Sequence, residues 1–396
     1  MAVNNYGSDD VRVVKSAEQT VKNKNHCYVL CLSKSNENIH EIINGVHYYR
    51  LKLRYGVLGL WFGFFPDHIK KLSKVLKSPK FKNKKLNNDK ESIIKDGHLL
   101  PKKFSNGYFL ILEKCIRFIL KNALIHTLIM NFRQGAYLRT FYPFLKNNKA
   151  DILYAHELPI LESIVLASKS NKSFVIYDSH ELEVDRNHSW PKKSFRKYSS
   201  KEGKYIKYVD KVIAVSDGIA MFMSDYYKID KILVVKNTPL LSQQKESKNH
   251  IRDEINLDKK IPLIVYIGSV TFNRGIEEIL TVLEKLKSFH FACVGPVNYI
   301  LLEKLKDIST SLNIADRVHF IKPKKPSLLT SFISDADISI VPIQNTCKSY
   351  YYCLPNKIFE SIYAGLPILG SNLYDIRKLI KKEKLGEICN MDDTQS

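Results

Sequence analysis

Two loops in the C-terminal half of the sequence carry residue types that bind anions. In the stretch GSVTFNRG (268–275), Gly268 and Ser269 directly follow an apolar run that is typical of a buried strand. Gly268 lets the backbone pass close to a ligand, Ser269 offers a hydroxyl, and Arg274 offers a forked cation. Ligands of open α/β sheets bind beyond the carboxyl ends of the strands. We therefore expect this loop to contact an anion.

The second loop, which reads LPNKIFE, opens a helical pattern. Backbone N–H groups at a helix start suit an anion, and Lys357 adds a positive charge directly after Pro355 and Asn356. Glu360 lies four residues after Asn356 and therefore shares a face with the helix start. A phosphate would repel this carboxylate, but sugar hydroxyls can donate hydrogen bonds to it. The basic stretch 322–326 is a candidate edge of a base pocket. Together, these residues predict a bound nucleotide. Its diphosphate would lie at the helix start, and its ribose would contact Glu360.

Each of these residues also has an ordinary structural explanation. A basic residue after a strand is often a solvated surface residue, and an acid in the first turn of a helix is stabilised by the helix dipole. The nucleotide hypothesis is favoured because all of these residues fall on the same edge of one predicted sheet.

Two histidine–glutamate pairs occupy equivalent places in the N-terminal half. His156 follows the apolar run DILYA, and His180 and Glu181 follow the run FVIYDS. Both runs are typical of buried strands, so both pairs are expected at the carboxyl edge of a sheet. His156 is the candidate catalytic residue, and His180 and Glu181 are candidate acceptor-side residues. A structural histidine is the alternative for each pair, and no metal is expected because no HExxH or similar spacing occurs.

Apolar runs alternate with helical patterns along the chain, which predicts an α/β protein with doubly wound parallel sheets. A second β-α series begins at residue 261, so we expect a linker near 238–250 and two Rossmann-like domains, 1–240 and 241–396. In the first domain, 10–17 is interpreted as a strand followed by a helix, 26–34 and 45–53 as strands, and 107–128 as an amphipathic helix.

The composition restricts the class of protein and of ligand. Of 396 residues, 62 are Lys or Arg and 40 are Asp or Glu, and this net charge of +22 attracts phosphates, nucleic acid or anionic lipid. No nucleic-acid partner is expected, because the basic residues are spread and no RRM, KH or zinc-finger pattern occurs. The seven cysteines form no CxxC pair, and neither a signal peptide nor a membrane-spanning run is visible. We therefore expect a cytoplasmic protein.

The segment 56–103 is treated as an insertion in the first domain. Trp61, Phe62, Phe64 and Phe65 precede a lysine-rich run, and this order is typical of a peripheral anchor on an anionic membrane surface. A buried aromatic loop with a solvated basic face fits the residues equally well.

Several motifs in the same order resemble glycosyltransferase family 4, which has the GT-B fold. They are YIGSVTFNRGIEEIL, DRVHFIKP, ADISIVPI and LPNKIFESIYAGLPILGSN, together with ILYAHELP, IYDSHELE and VDKVIAVSDGIA in the N-terminal half. The resemblance implies two domains facing across a cleft, with acceptor bound by the first and a UDP- or GDP-linked sugar by the second. It also implies retaining transfer without cofactor or obligatory metal, to a glycan or lipid-linked acceptor in lipopolysaccharide or capsule synthesis.

The resemblance assigns roles to individual positions. Arg274 matches the basic residue that contacts the donor phosphates, and the turn 355–357 matches the loop whose amides hold the diphosphate. Glu360 matches the carboxylate that binds the ribose, and His156 matches a cleft histidine near the transferred sugar and the acceptor.

Three features depart from the family pattern. Ser269 stands where many relatives carry an Arg, so phosphate charge would rest on Arg274 and Lys357. Tyr352 stands where the first Glu of the family's paired-glutamate motif usually reaches the transferred sugar. Relatives usually continue with further helices beyond the position of Ser396, so we expect the C-terminal helices to be truncated.

Four other functions fit parts of the same sequence. A sugar-nucleotide epimerase or a phosphorylase can share the two-domain architecture, and a truncated, inactive homologue fits the short C-terminus. A nucleic-acid binder is the rival outside the enzymes, because of the net charge of +22.

Overall fold

The computed structural model describes most of both halves of the chain. The described residues are 1–8, 10–35, 37–55, 123–186, 193–230, 232–239 and 245–391, and for 123–130 and 193–195 only the backbone is described. The predicted insertion at 56–103 and most of the predicted helix at 107–128 lie outside these ranges, so both stay predictions. Within the described residues, no helix is long and apolar enough to cross a membrane.

The N-terminal sheet has eight strands in the order β3-β4-β2-β1-β5-β6-β7-β8. The pairings of β1 with β2 and β5, of β2 with β4 and of β7 with β8 are parallel, and β3 pairs antiparallel with β4. The strands are β1 (Ala2–Val3), β2 (Tyr28–Leu32), β3 (Ile39–Ile43), β4 (Val46–Leu51), β5 (Ile152–His156), β6 (Phe174–Ser179), β7 (Lys211–Ala214) and β8 (Ile232–Val234).

Five described helices belong to this half of the chain. They are α1 (Val11–Lys22), α2 (Ala123–Asn147), α3 (Leu158–Asn171), α4 (Lys193–Ile206) and α5 (Asp217–Tyr227). The strand predicted at the start of 10–17 is wrong, because Asp10 caps a helix there. Its carboxylate accepts hydrogen bonds from the backbone N–H groups of Arg12 and Val13, which satisfies two donors of the first turn. Val13 and Ala17, one turn apart, are fully buried.

The antiparallel hairpin of β3 and β4 was missed by the sequence analysis, which identified only its second strand. Asn44 and Gly45 form the two-residue turn, and both have positive φ, 51° and 78°. Such a turn matches the twist of the two flanking strands, and Asn-Gly is its preferred sequence.

The C-terminal sheet has six parallel strands in the order β11-β10-β9-β12-β13-β14. They are β9 (Leu263–Ile267), β10 (His290–Val294), β11 (Val318–Ile321), β12 (Ile338–Val341), β13 (Ile368–Ser371) and β14 (Gly386–Cys389). Numbered from β9, this is the 3-2-1-4-5-6 order of the dinucleotide-binding fold. The strand order reverses between β9 and β12, and ligands of such sheets bind at that point.

Helices cover both faces of the C-terminal sheet, as predicted. They are α6 (Ile251–Ile255), α7 (Ile276–Lys285), α8 (Tyr299–Ser311), α9 (Pro326–Ile333), α10 (Lys348–Tyr351), α11 (Asn356–Tyr363) and α12 (Tyr374–Glu383). One core cluster joins α7 and α8 to the sheet through Leu280 and Leu301, and another joins α6 and α9 through Ile251 and Phe332. The doubly wound prediction is confirmed for this sheet.

The chain forms two compact units. The first comprises Met1–Ile176 and Trp190–Val209, and the second comprises Tyr177–Ser189 and Asp210–Ser396. The second unit therefore holds the whole C-terminal sheet together with β7, α5 and β8. The boundary drawn from the sequence, between 240 and 241, stays a prediction.

Gly275 precedes α7 at a place where only glycine fits. It has φ 70°, and a Cβ added there would lie 2.1 Å from the carbonyl oxygen of Pro342, at the end of β12. Gly365 has nearly the same φ, 73°, but a Cβ there would meet nothing within 4 Å. The two glycines therefore separate the cost of the backbone conformation from the cost of a clash.

We expect G365A to lower the free energy of unfolding by about 1 kcal/mol, the cost of left-handed backbone in a residue with a Cβ. G275A should lose about 1–3 kcal/mol more, because its methyl group has no room against Pro342. Urea unfolding of both variants measures the difference. Equal losses in the two variants would show that the close approach to Pro342 is not a constraint.

Candidate donor-binding site

The loop after β9 is pressed against the loop after β10. Gly268 has φ 101°, and its N–H donates to the carbonyl oxygen of Val294 over 2.9 Å. A Cβ added at Gly295 would lie 2.2 Å from the carbonyl oxygen of Gly268. Gly295 is thus required by this close approach, although the sequence analysis did not single it out. The contact holds Gly268 at the edge of the sheet where a ligand is expected.

The side chain of Lys357 runs back from α11 to the end of β9. A Cβ added at Gly268 would lie 3.7 Å from both Cε and Nζ of Lys357, so the two residues are neighbours. Nζ lies 3.9 Å from the centroid of the Tyr266 ring. Lys357 is only 8% exposed, which is rare for a lysine and points to a specific use of its charge.

Burial, and then the nearby Arg274 guanidinium, lower the pKa of Lys357 from its ordinary value of 10.5 to about 7, and the Glu360 carboxylate opposes both effects. The structure therefore brings together three residues that the sequence analysis placed at one site. Near neutral pH, Lys357 exchanges between its neutral and charged forms.

Arg274 lies in the loop between β9 and α7, with Cζ 4.6 Å from the centroid of the Tyr350 ring. Its Nε–H is buried, and no hydrogen-bond acceptor reaches it among the described residues. A buried N–H of a guanidinium that lacks an acceptor costs free energy until an anion supplies one. Phosphate oxygens supply such acceptors, so Arg274 and Lys357 suit a diphosphate.

Glu360 lies one turn into α11 and is half-buried. Pro355 is the residue before the helix, with an extended backbone at φ −75° and ψ 148°, and the exposed Asn356 is the first helical residue. The exposed Ser269 follows Gly268, and its carbonyl oxygen accepts a hydrogen bond of 2.8 Å from the Tyr266 hydroxyl.

Two tyrosines at this edge were missed by the sequence analysis. Tyr266 and Tyr350 face the two cations, and both are buried. Their aromatic character was visible in the sequence, but it is equally typical of a strand and of a core residue. Only the structure shows that each ring faces a cation.

Cys353 lies next to the same cations but is a poor nucleophile. Burial raises the pKa of its thiol to about 12, even though Arg274 and Lys357 act in the opposite direction. The thiolate, which is the reactive form, is therefore scarce at neutral pH.

His180 and Glu181 lie at the end of β6, and both have acidic or basic neighbours. His180 Nε2 is 3.7 Å from an oxygen of the buried Asp178, and Glu181 forms an ion pair with Arg186. Arg186 also donates to Glu183 over 2.8 Å. The carboxylate of Glu181 is thus held by a cation of the same loop.

His156 ends β5 in the first unit, where the register pairs it with Val3 of β1. It is fully buried, and its ring lies 4.5 Å from that of Tyr154. The strand order reverses between β1 and β5, so His156 lies at the end of a strand beside the switch point of this sheet. Glu157, the next residue, has φ 67° and ψ 158°, a conformation almost restricted to glycine. Such strain is concentrated at functional sites.

Tyr352, the position that departs from the family pattern, is part of an aromatic cluster. Its ring lies 4.8 Å from that of Tyr351, 5.7 Å from that of Tyr374 and 6.2 Å from that of Phe222. Its carbonyl oxygen accepts a hydrogen bond of 2.6 Å from the Ser216 hydroxyl. The side chain is thus committed to packing in the second unit.

Comparison with known proteins gives a family match for the C-terminal half of the chain. Residues 247–396 match the family model described as glycosyl transferases group 1. An uncharacterised glycosyltransferase of Methanocaldococcus jannaschii is 24% identical over 142 residues, which cover 36% of this chain and 35% of the relative. The chain therefore matches about a third of the length of this curated relative.

Two solved structures share the fold. A sucrose-phosphate synthase from Thermosynechococcus elongatus superposes with a TM-score of 0.66 at 12% identity, over 100% of this chain and 86% of the other. The Anabaena protein HepE, solved in complex with UDP, superposes with a TM-score of 0.53 at 14% identity, over 67% of this chain and 71% of the other. The chain therefore has the GT-B fold, and its residues 247–396 match the family model of glycosyl transferases group 1.

Proposed function

We propose that this protein transfers a sugar from a nucleotide-diphosphate donor to a glycan or lipid-linked acceptor. One observation supports the proposal: Arg274, Lys357 and Glu360 lie close enough to influence one another, at the edge of a sheet with the 3-2-1-4-5-6 strand order. The family match of this same region supports it.

The chemistry requires stabilisation of the negative charge that develops on the leaving diphosphate. Arg274 and Lys357 supply it in a largely water-excluded place, and the N-terminus of α11 adds its backbone dipole. The acceptor hydroxyl forms a bond to the anomeric carbon while the bond to the phosphate oxygen breaks. The hydroxyl proton passes to that phosphate oxygen, so no strong base from the protein is needed. Attack from the face that the leaving group vacates gives retention.

Glu360 has the chemistry to bind the ribose, since a carboxylate accepts hydrogen bonds from two neighbouring hydroxyls. HepE, which has a similar fold, was solved with bound UDP, and this supports a UDP-linked sugar as the donor. A GDP-linked sugar is the other candidate. The basic stretch 322–326 stays the candidate edge of the base pocket. Gly268, Ser269, Pro355 and Asn356 would supply backbone and hydroxyl contacts to the diphosphate.

His156 is proposed to position the transferred sugar, with His180 and Glu181 on the acceptor side. The strained backbone of the adjacent Glu157 supports a functional use of this strand end. A reaction without metal, a role in surface polysaccharide synthesis, a cytoplasmic location and contact with an anionic membrane are further parts of the proposal. All of them rest on the motifs and the composition.

Substitutions of Arg274 and Glu360 test the donor site. R274A should lower the rate of transfer by about 100- to 1,000-fold, the effect of removing one donor to a developing anion. E360Q should weaken binding of UDP by about 10- to 100-fold, because the ribose loses a charged acceptor. Isothermal titration and a transfer assay measure these effects, with R377A as the control for a half-buried arginine of the same unit. Transfer at the wild-type rate in R274A, together with wild-type affinity for UDP in E360Q, would refute the assignment.

A second measurement separates the proposal from its rivals. Transfer should require both a donor and an acceptor, and salt-sensitive binding to arbitrary duplex DNA should be absent. An epimerase would convert the donor alone, a phosphorylase would need inorganic phosphate, and an inactive homologue would bind UDP without turnover.

A further prediction concerns the pH dependence of donor binding. The pKa of Lys357 is about 7 in the free protein, and an anionic diphosphate beside it must raise that pKa. Binding therefore takes up a proton between pH 7 and the raised pKa, and affinity falls as pH rises above about 7, by at most tenfold per unit. Titration with UDP from pH 7.5 to 9.5, in two buffers of different ionisation enthalpy, measures both effects.

Two substitutions of Lys357 control this experiment. K357R should show a flat pH profile, because a guanidinium does not titrate in this range. K357M should bind weakly and also without pH dependence. If K357M keeps the slope of the wild type, another group is responsible and the assignment to Lys357 is wrong.

A further inference from the structure

Tyr266 contacts the donor site through both its ring and its hydroxyl. It is the fourth residue of β9, and its side chain is fully buried. The Lys357 ammonium lies over its ring, 3.9 Å from the centroid. Its hydroxyl donates a hydrogen bond of 2.8 Å to the carbonyl oxygen of Ser269. One side chain thus links the lysine of α11 to the loop after β9.

The Tyr266 ring stabilises the buried ammonium of Lys357. A buried ammonium loses its hydration, and here it also faces the positive charge of Arg274. The negative face of an aromatic ring attracts a cation, and more strongly when water is excluded. Aliphatic side chains of the same core cluster, such as Leu280 and Ile340, offer no such attraction.

The hydroxyl fixes the loop that carries the other donor-site groups. Burial raises the pKa of Tyr266, so its hydroxyl keeps the proton that it donates to Ser269. Ser269 directly follows Gly268, whose backbone lies beside the Lys357 side chain. The Tyr266 side chain therefore contacts both the lysine and the loop.

We propose that Tyr266 is a positioning residue of the donor site: its ring face holds the Lys357 ammonium toward the diphosphate, and its hydroxyl fixes the Ser269 loop. This inference rests on the proposed function, but the effect of the ring on the charge of Lys357 does not require a donor. The two can therefore be tested separately.

Four other groups influence the charge of Lys357 and must be kept constant. Arg274, from the loop before α7, disfavours the ammonium, whereas Glu360 of α11 favours it. Cys293 of β10 and Cys353, before α11, also favour it when ionised. None of these residues is changed in the variants below.

The first experiment measures Lys357 in the free protein. The NMR signal of its Cε is followed against pH in the wild type, Y266F and Y266L, and is assigned by its loss in K357M. Y266L should move the titration to lower pH, because the ammonium loses the ring face, and Y266F should restore it. Y48L removes a buried strand tyrosine from the other unit and should leave the titration unchanged. An unchanged titration in Y266L would overturn the proposal.

The second experiment is a double-mutant cycle with UDP as the probe, and with GDP if UDP does not bind. Y266L should weaken binding by about three- to thirty-fold when Lys357 is present. In K357M the same change should have little further effect, because the ring then has no cation to hold. An equal loss in both backgrounds would show that Tyr266 acts only as a packing residue and would overturn the proposal.

The remaining outcomes are also decisive. If no variant binds UDP or GDP while the Lys357 titration still depends on the ring, the proposed function fails and the positioning of the lysine stands. If Y266L lowers the unfolding midpoint more than Y48L does, Y266M is used in place of Y266L. Methionine has a flexible side chain that adapts to an irregular core space. Y266M should then move the titration as described for Y266L, and an unchanged titration would count against the ring.

Discussion

The candidate site depends on keeping two positive side chains close together where little water reaches them. Lys357 is buried and Arg274 is near enough to lower its pKa, so the two cations repel each other. Within the site, this repulsion is offset by the carboxylate of Glu360 and by the faces of two tyrosine rings. An anion beside both side chains, such as the proposed diphosphate, would offset this repulsion further.

The same arrangement imposes close backbone packing around the site. The carbonyl oxygen of Gly268 leaves no room for a side chain at Gly295, and that of Pro342 leaves none at Gly275. Loops after three neighbouring strands, β9, β10 and β12, are thus pressed together at the switch point of the sheet. This packing fixes the places of Gly268 and Arg274, because each lies within or beside one of these contacts. Precise placement of cations is what an electrostatic mode of catalysis requires.

The sequence predicted the parts of the fold that repeat a simple pattern. The second β-α series was predicted from residue 261, and its first strand, β9, begins at Leu263. Arg274, Lys357 and Glu360 lie close together, as their spacing predicted. The errors have physical reasons. The alternation of DVRVV in 10–14 is typical of a strand, but the capping carboxylate of Asp10 favours a helix. The partners of Tyr266 and Tyr350 depend on contacts between distant segments, which a local pattern does not contain.

Tyr352 shows how a departure from a family pattern can be explained by packing elsewhere. A Cβ added at Gly218 would lie 2.4 Å from Cδ1 of Tyr352 and 2.6 Å from a carboxylate oxygen of Asp375. The start of α5 accommodates both groups: the Gly218 N–H donates to Asp375 over 2.9 Å, and the Ser216 hydroxyl donates to the Tyr352 carbonyl oxygen. Burial raises the pKa of Asp375, while the Gly218 N–H acts against it.

These contacts explain why β7 and α5 form one compact unit with the C-terminal sheet. Ser216, in the stretch VSDG, caps α5 by accepting a hydrogen bond from the N–H of Ile219. The same four-residue stretch also contacts Tyr352 and Asp375. Both lie far along the chain, and Ser216 and Tyr352 are 136 residues apart. A large aromatic residue at 352 is therefore matched by the absence of a side chain at 218.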